Sequence, residues 1–372
     1  MGSSQSVQIN RNLSMSLAQV NSPTLLEHLK HDYWLIAFKN PSSYMIISQK
    51  LGMVLVEDGA LIWEKKFGPK DTQKSSDYLD LKYIAKENCY LIYHNKHILY
   101  RKDISKANAN QILKLESGGF SSKQSTWIRY SQGLERLILF KGVQCHIFNL
   151  STSKILTRLE ADFRGPITNY QVYGPNEDKM LAVTWAGLFV AYDLSTSPSS
   201  NPKITQIYDF AKEETRNVHD ECAGPFLSIC EKSKYAVTQF YDQEGFPSYD
   251  TSRFLVFRLG QKEGETPLTL IANLDVYRKF GFPSSFWQLD LLNMADEDGS
   301  LILFGTSAEY NKKPKTKIHF FELSLENKNL RYCNRWGNQT EAESSRRIIS
   351  FDGSFYSVTN DQGLEKLEFN SK

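Results

Sequence analysis

The sequence predicts an all-β protein, and three observations support this prediction. From Tyr33 to the end of the 372-residue chain, short runs rich in β-branched and aromatic residues alternate with clusters of turn residues. No long segment in that range repeats its apolar residues with the 3.6-residue period of an amphipathic helix. Hydrophobic residues make up 41% of the chain and aromatic residues 13%, which is enough apolar bulk for a large core and excludes a disordered chain.

Residues 1–32 are predicted to form a flexible N-terminal arm that carries one short helix. The arm is polar and rich in Ser and Asn, as terminal segments often are. The helix is predicted over residues 23–30, because Ser22 can cap its first turn and Pro23 suits the first helical position. The rest of the chain, residues 33–372, is expected to form a single β domain.

A loosely repeated unit indicates which β fold to expect. Each copy is a hydrophobic strand that ends in an aromatic residue followed by a polar residue, and a glycine turn often precedes it. Residues 142–149 (GVQCHIFN) and 363–370 (GLEKLEFN) show the unit most clearly. The aromatic landmarks of the seven copies are Trp63, Tyr100, Phe148, Tyr192, Phe257, Phe321 and Phe369.

The spacing of these landmarks predicts a seven-bladed β-propeller of four-stranded antiparallel blades. A blade takes about 40 to 50 residues, and the two longer intervals between landmarks contain insertions. Either residues 34–38 close the ring, or they start the first blade and residues 7–9 close it; six blades or a split arrangement are further alternatives. Strands of the third and fourth blades are predicted near residues 126–131, 134–140, 144–149, 153–158, 168–173, 179–185, 188–193 and 203–209.

Two segments resemble the end of a WD repeat. They are residues 147–156 (IFNLSTSKIL) and 190–197 (VAYDLSTS). A Phe-Asn pair at 148–149 and a Tyr-Asp pair at 192–193 stand where that family commonly has Trp-Asp. The Gly-His pair expected early in a WD repeat is not evident. The resemblance therefore implies a WD-repeat-like propeller, at the level of architecture.

Charge, hydropathy and cysteine usage exclude several classes of protein. Lys and Arg number 44 and Asp and Glu 42, so no global excess of charge indicates a nucleic-acid partner, and none is expected. No run approaches the roughly 18 apolar residues of a membrane span, and the N-terminus lacks the apolar run of a secretory signal, so we expect a cytoplasmic protein. The odd number and wide spacing of the cysteines predict reduced, mostly buried thiols at Cys89, Cys145, Cys222, Cys230 and Cys333.

The sharpest short motif lies at the N-terminus. Residues 1–6 (MGSSQS) match the N-myristoylation pattern, with Gly2 exposed after removal of Met1 and a small hydroxyl residue at Ser6. One acyl chain binds membrane weakly, and neither a polybasic cluster nor a nearby cysteine adds a second signal. Gly2 is therefore a lipidation candidate that would give peripheral, reversible membrane association or bury its acyl chain in a partner. The alternative is a chance match in a Ser-rich tail or a remnant of an expression tag.

No constellation of residues predicts a catalytic, cofactor or metal site. The His-x-x-His pairs at 28–31 and 94–97 have no Cys, Asp or Glu at ligand spacing, and His146 and His319 lie within predicted strands. The first residues of the predicted innermost strands include one acid, so a pair of catalytic carboxylates in the central channel is not supported. Those first residues are Asp80, Thr126, Thr168, Phe226, Ser285 and Arg346.

Two insertions indicate a binding face. The hairpin between the second and third strands expands to residues 241–250 in the fifth blade and to residues 308–317 in the sixth. Alternate connections emerge on the same face of a propeller, so these loops share it with the inter-blade segments 210–224 and 275–284. Loops on a rigid scaffold often carry binding residues, and aromatic and long charged side chains suit contact surfaces. The partner-binding candidates are Phe246, Tyr249, Tyr310, Lys312, Lys313 and Lys315.

The sequence therefore predicts a non-enzymatic scaffold that uses no cofactor and binds one or more proteins through this face. The alternative is a propeller hydrolase or lyase, which convergent ionisable groups in an axial pocket would indicate. The acidic loop of the fifth blade and the basic loop of the sixth could instead pair with each other. Residues 312–315 (KKPK) also resemble a short nuclear-import signal, with a solvated turn as the alternative.

Overall fold

The structure is a computed structural model of the chain. Within the residues that it describes, the chain forms one helix and 29 strands. The described residues are 13–31, 33–68, 74, 77–94, 98–114, 128–141, 144–150, 152, 154–160, 167–184, 187–195, 202–210, 223–229, 234–241, 252–262, 264–275, 286–292, 300–309, 315–326, 329–332, 341–342, 347–351, 354–360 and 362–371.

The described strands pair into seven antiparallel sheets, which follow one another along the chain. The seventh sheet takes its outer strand from the N-terminal segment, which forms β1 (Leu13–Gln19) and then α1 (Pro23–Leu29). The first three sheets contain, in order, β2 (Tyr33–Asn40), β3 (Ser43–Ser48), β4 (Gly52–Glu57) and β5 (Ala60–Lys65); β6 (Tyr78–Ile84), β7 (Cys89–His94), β8 (Ile98–Asp103) and β9 (Asn110–Lys114); and β10 (Ile128–Ser131), β11 (Arg136–Lys141), β12 (Gln144–Asn149) and β13 (Lys154–Glu160).

The remaining sheets repeat this order, and the sixth has an additional short strand that pairs with its third strand. The fourth and fifth sheets contain β14 (Ile167–Tyr173), β15 (Lys179–Thr184), β16 (Leu188–Asp193) and β17 (Lys203–Asp209); and β18 (Ala223–Ile229), β19 (Tyr235–Tyr241), β20 (Ser252–Leu259) and β21 (Leu268–Asp275). The sixth and seventh contain β22 (Phe286–Leu292), β23 (Ser300–Glu309), β24 (Lys315–Ser324), β25 (Asn329–Tyr332) and β26 (Glu341–Ala342); and β27 (Arg347–Phe351), β28 (Ser354–Thr359), β29 (Gly363–Ser371) and β1.

The first strand of each sheet lies on the inner side of the assembly. β2 contacts β6 and β27, and further contacts join β6 to β10, β10 to β14, β14 to β18 and β18 to β22. First strands around an axis and fourth strands outside it are the arrangement of a β-propeller. The prediction of an all-β propeller with four-stranded antiparallel blades is therefore confirmed. The strands predicted for the third and fourth blades also correspond to β10–β13 and β14–β17, with ends that differ by no more than about two residues.

The N-terminal segment contributes a strand to the seventh sheet. β1 pairs with β29, from Leu13 opposite Ser371 to Gln19 opposite Glu365. The prediction of a flexible arm is therefore wrong for residues 13–19, whose alternation of apolar and polar residues (LSMSLAQ) suits a strand. Residues 34–38 start the first sheet, as the second of the two closing arrangements has it, but residues 7–9 are the wrong closing strand. β1 is the closing strand, and residues 7–9 lie outside the described part.

Helix α1 fills the joint between the seventh and first sheets. As predicted, Ser22 is its N-cap, and the Ser22 hydroxyl accepts a hydrogen bond of 3.1 Å from the Leu25 N–H. Leu25 and Leu29 are buried in one cluster with apolar residues of both sheets. From the first sheet these include Phe38, Tyr44, Ile46, Val54 and Val56, and from the seventh Tyr356, Val358 and Leu364.

A bulge in the outer strand of five sheets reveals which residues are structurally equivalent. In each of these sheets, one residue of the outer strand has no partner on the third strand. The third-strand residue directly after this irregularity occupies the same structural position in all five sheets. That position holds Tyr100, Phe148, Tyr192 and Phe257 in four sheets, as the landmarks predict, and Val56 in the first.

The landmark predicted at Trp63 is therefore wrong. Trp63 belongs to the outer strand β5. The third strand of the first sheet, β4, contains no aromatic residue. The Trp63 ring lies 5.2 Å from Lys102 Nζ of the second sheet, a cation–π contact across the joint. Trp63 thus packs between two sheets.

Two of the predicted thiols can be checked. Cys89 and Cys145 are free and buried, as expected. Burial raises the pKa of the Cys89 thiol to about 12, so it stays protonated and unreactive at neutral pH. Cys222, Cys230 and Cys333 lie outside the described residues. Within the part of the chain that the structure describes, no helix combines the length and the apolar character that crossing a bilayer requires.

Candidate partner-binding face

The connections of each sheet alternate between its two ends, because successive strands are antiparallel. Second-to-third connections and fourth-to-first connections therefore emerge at the same end of every sheet. We call this end the insertion face. It receives residues 242–251 between β19 and β20, residues 310–314 between β23 and β24, and the inter-sheet segments 211–222 and 276–285.

The hairpin of the sixth sheet is longer than predicted, and its loop is shorter. β23 and β24 remain paired up to Glu309 opposite Lys315, so the expected loop over residues 308–317 is reduced to residues 310–314. The short strand β26 pairs with the end of β24, where Ala342 lies opposite Thr316 and Glu341 opposite Lys317. The sixth sheet thus carries a paired ribbon, widened by β26, to the insertion face.

The predicted partner-binding residues fall at or next to these connections. Lys315 is the first residue of β24 and lies opposite Glu309 in the backbone register. The other five lie outside the described residues: Phe246, Tyr249, Tyr310, Lys312 and Lys313. Gly2 and residues 1–12 as a whole also lie outside them.

Lysines of the first sheet also lie at the insertion face, a feature that sequence reasoning missed. Lys50, between β3 and β4, has its Nζ 3.4 Å from His31 Nδ1, directly after helix α1. Lys65 and Lys66, at the end of β5, are exposed, and their backbone lies against Gly52. These residues come from three separate segments, so no local motif in the sequence reveals them.

The structure describes His28, His31 and His94 of the two histidine pairs. His28 Nδ1 lies 2.8 Å from the Tyr44 hydroxyl, and burial, with a further contribution from His31, lowers the pKa of His28. His94 and His146 are buried, His319 lies in β24, and His97 is outside the described residues. Among the residues described, no group of three or more His, Cys, Asp or Glu could hold a metal ion.

Asp80, the one acid among the predicted channel positions, connects two sheets. One carboxylate oxygen accepts the Ile128 N–H of the third sheet at 2.7 Å, and the other accepts the Leu81 N–H at 2.9 Å. Burial raises the pKa of Asp80, while the Ile128 hydrogen bond and the charge of Arg129 oppose this rise. Each carboxylate oxygen thus accepts a backbone N–H, as in a structural contact.

Similar side-chain bridges join the next two pairs of sheets. Arg129 of β10 donates from Nε to the Tyr170 carbonyl at 2.9 Å, and Gln171 of β14 donates to the Leu227 carbonyl at 2.7 Å. With Asp80, these residues give a run of polar bridges along consecutive inner strands. These three polar side chains thus join neighbouring sheets through backbone groups.

Comparison with known proteins supports the fold. No protein-family model and no curated protein matches the sequence. Among solved structures, the WD40 domain of Neurospora crassa Pan2 is 12% identical with a TM-score of 0.50, over 95% of this chain and 94% of that one. The β-propeller domain of Myceliophteria thermophila Cps50 (Swd1) is 10% identical with a TM-score of 0.48, over 73% of this chain and 80% of that one. By its sheet topology and its likeness to the Pan2 domain, the chain is in its fold a WD-repeat-like β-propeller.

Proposed function

We propose that the protein is a non-catalytic scaffold that binds one or more protein partners through the insertion face, and that its seven sheets close into one seven-bladed ring. The observation that carries this proposal is connectivity. The long second-to-third connections of the fifth and sixth sheets and the inter-sheet segments 211–222 and 276–285 belong to the same end of the sheets. A rigid fold that gathers long loops on one side favours binding there. We propose that this activity is cytoplasmic.

The bridging role of the polar residues on the inner strands supports a scaffold over an axial enzyme. Asp80 accepts two backbone N–H groups, and Arg129 and Gln171 each donate to a carbonyl of the next sheet. A general acid or base must instead reach a substrate. The pairing of β23 with β24 supports the insertion face as the binding site, because the paired strands place Lys315, and the loop that precedes it, at that face.

Replacing Phe246, Tyr249 and Tyr310 together by alanine should reduce partner capture at least about tenfold, because buried aromatic anchors dominate the energy of many interfaces. The measurement is quantitative mass spectrometry of proteins that co-purify with the tagged full-length chain. The matched control replaces Leu61 and Ile62, which are exposed on the outer strand β5, and should leave capture unchanged. Equal capture by all three proteins would contradict the proposal.

A charge reversal separates partner binding from mutual pairing of the loops. If the fifth-sheet and sixth-sheet loops only neutralise each other, changing Lys312, Lys313 and Lys315 to Glu lowers the melting temperature and leaves capture unchanged. If the lysines face a partner, capture becomes weaker and less sensitive to salt, while the melting temperature changes little. The second outcome is the one we expect.

We propose that an acyl chain on Gly2 tethers the scaffold to membranes. β1 begins opposite Ser371, at the end of the seventh sheet away from the insertion face. Residues 1–12 precede it and can span at most about 40 Å when extended. A tether at this end supports simultaneous membrane attachment and partner binding.

Changing Gly2 to alanine should move the protein from a membrane-associated fraction to the soluble fraction, because N-myristoylation requires this glycine. The measurement is vesicle flotation of protein isolated from its native source, with intact-mass analysis of its N-terminus. A single myristoyl chain binds membrane with an association constant of about 10⁴ M⁻¹, so only part of the wild-type protein should float with the vesicles. A Ser3→Ala variant is the control, and an unmodified native Gly2 would remove the tether from the proposal.

A further inference from the structure

Lysines are concentrated on the insertion face of the first two sheets. The chain segments that reach this face there are residues 49–51, 64–77, 95–97 and 114–127, and together they contain eight lysines and four acidic residues. Five of these lysines are described by the structure, and all five are exposed: Lys50, Lys65, Lys66, Lys74 and Lys114. We call these five residues the lysine patch.

Backbone packing within the first sheet brings three members of the lysine patch together. Lys65 pairs with Met53 in the register of β4 and β5, and Gly52 packs against the backbone of Lys65 and Lys66. Lys50 lies two residues before Gly52, in the turn between β3 and β4. Lys50, Lys65 and Lys66 therefore lie at one corner of the sheet.

Aromatic packing holds the chain next to this corner. The ring of Trp34, at the start of β2, stacks on the ring of Phe67, with 5.9 Å between the centroids and 18° between the planes. Both rings are partly buried against the apolar cluster between the first and second sheets. The residue that directly follows Lys66 is thus fixed to the inner strand.

The described acidic residues near the lysine patch offset its charge only weakly. Glu64 lies 3.6 Å from Lys66, but the two side chains are 45% and 77% exposed, and exposed ion pairs contribute little. Asp77 accepts the Lys74 N–H at 2.8 Å, and Asp80 accepts two backbone N–H groups. Two of these three carboxylates are thus hydrogen-bonded to backbone.

Another part of the insertion face has the opposite charge. Residues 211–222 and 242–251 contain seven acidic residues and two that are Lys or Arg. They belong to the fourth and fifth sheets, and the third sheet separates the second from the fourth. A nucleic acid or an anionic membrane lying across the face would meet the acidic segments as well as the lysines, whereas a short acidic segment of a protein can contact the lysines alone.

We propose that the lysine patch binds an acidic segment of a protein partner. This inference rests on the proposed role of the insertion face and adds the chemistry of the partner to it. Ammonium groups from separate chain segments meet several carboxylates at once, and such complementary charges determine the choice of partner and the rate of association more than the affinity.

Fluorescence anisotropy of a labelled peptide of alternating Glu and Gly, titrated with the full-length protein, tests the lysine patch. We expect saturable binding that weakens as the salt concentration rises, and no binding of the matched peptide that has Gln in place of Glu. Changing Lys50, Lys65 and Lys66 together to Gln should raise the dissociation constant at least about tenfold, because three modest charge pairs are lost.

The matched control changes Lys203, Lys234 and Lys262 together to Gln. These lysines are exposed at the opposite end of the sheets, so the control loses the same charge without touching the lysine patch. It should bind the acidic peptide like the wild type, and both variants should keep the wild-type melting temperature, since all six side chains belong to exposed residues.

Absence of saturable binding by the acidic peptide overturns the proposal, and so does an equal loss in the two lysine variants, which would reflect net charge alone. Tighter binding of a single-stranded oligonucleotide or of phosphatidylserine vesicles than of the peptide also overturns it, by assigning the lysines to another class of partner. Failure here is distinct from failure of the insertion-face proposal, which is measured by the capture defect of the variant at Phe246, Tyr249 and Tyr310.

Discussion

Replacing Gly363 by alanine should lower the free energy of unfolding by about 3 to 4 kcal/mol. Gly363 has φ of +81°, and an added Cβ would lie 2.3 Å from the Asn21 side-chain oxygen and 2.7 Å from a Leu26 methyl carbon. That oxygen accepts the Leu364 N–H at 2.6 Å, and the Asn21 amide donates to the Gln362 carbonyl at 3.1 Å. The substitution would displace the residues that fasten the closing strand and α1 to the seventh sheet.

Urea unfolding followed by tryptophan fluorescence measures this effect. Gly264→Ala is the control, because Gly264 has φ of +84° but no heavy atom within 4 Å of an added Cβ. It should cost only about 1 kcal/mol, the cost of the backbone conformation alone. Adding Asn21→Ala to Gly363→Ala should cause little further loss, since the first change already breaks the Asn21 hydrogen bonds. Equal losses for the Gly363 and Gly264 variants would show that the contact with Asn21 does not matter.

Replacing Asp103 by alanine should cost about 3 kcal/mol, because it removes a largely buried carboxylate from beside two poorly hydrated cations, Arg101 and Lys102. Asp103 lies 2.7 Å from Arg101 Nε and 2.7 Å from Lys106 Nζ, and its side chain is 11% exposed. The adjacent Lys102 is 1% exposed, and burial lowers its pKa while the charge of Asp103 opposes that fall. Without the carboxylate, Arg101 and Lys102 lose nearby negative charge.

The pH dependence of this loss identifies its origin. Burial alone raises the pKa of Asp103, but hydrogen bonds from Lys106 and Arg101 outweigh burial and lower it below the ordinary value. Its contribution to stability is therefore complete above the ordinary carboxylate pKa of about 4 and disappears as the pH falls through the lower folded value.

The stability difference between wild type and Asp103→Ala should accordingly be equal in urea titrations at pH 7 and pH 5, and should shrink only below about pH 4. Glu64→Ala removes an exposed pair, with 3.6 Å between Glu64 and Lys66, and should change stability by less than about 0.5 kcal/mol. A loss that is independent of pH down to the acid transition would indicate a packing effect.

The sequence predicted the candidate site only as a position along the chain. Insertions between hairpin strands are visible as breaks in a local pattern, and the alternation of antiparallel strands then assigns them to one face. The lysines that accompany them at the first sheet, such as Lys50 and Lys65, were missed because they come from different strands. Lys315 shows the same limit. Its sequence context is polar like a loop, and pairing with Glu309 makes it part of a strand.

The repeat was recognisable because each unit of the fold is a local hairpin whose apolar alternation and turn residues act over a few positions. For that reason the strands of the third and fourth sheets and the capped helix α1 agree with their predictions. One landmark failed. Trp63 was chosen for its ring, whereas the equivalent position holds Val56, which only the register of the bulge reveals.

The sequence by itself determined the all-β architecture, the order of strands within a sheet and the position of the insertions, because these follow from local periodicity and turn chemistry. The tertiary structure alone decided how the last sheet is completed, since β1 pairs with a strand at the far end of the chain. It also decided that Asp80 joins two sheets and that Lys50 and Lys65 lie at one corner of the first sheet. Pairings between distant segments depend on the geometry of the whole assembly, which no local pattern encodes.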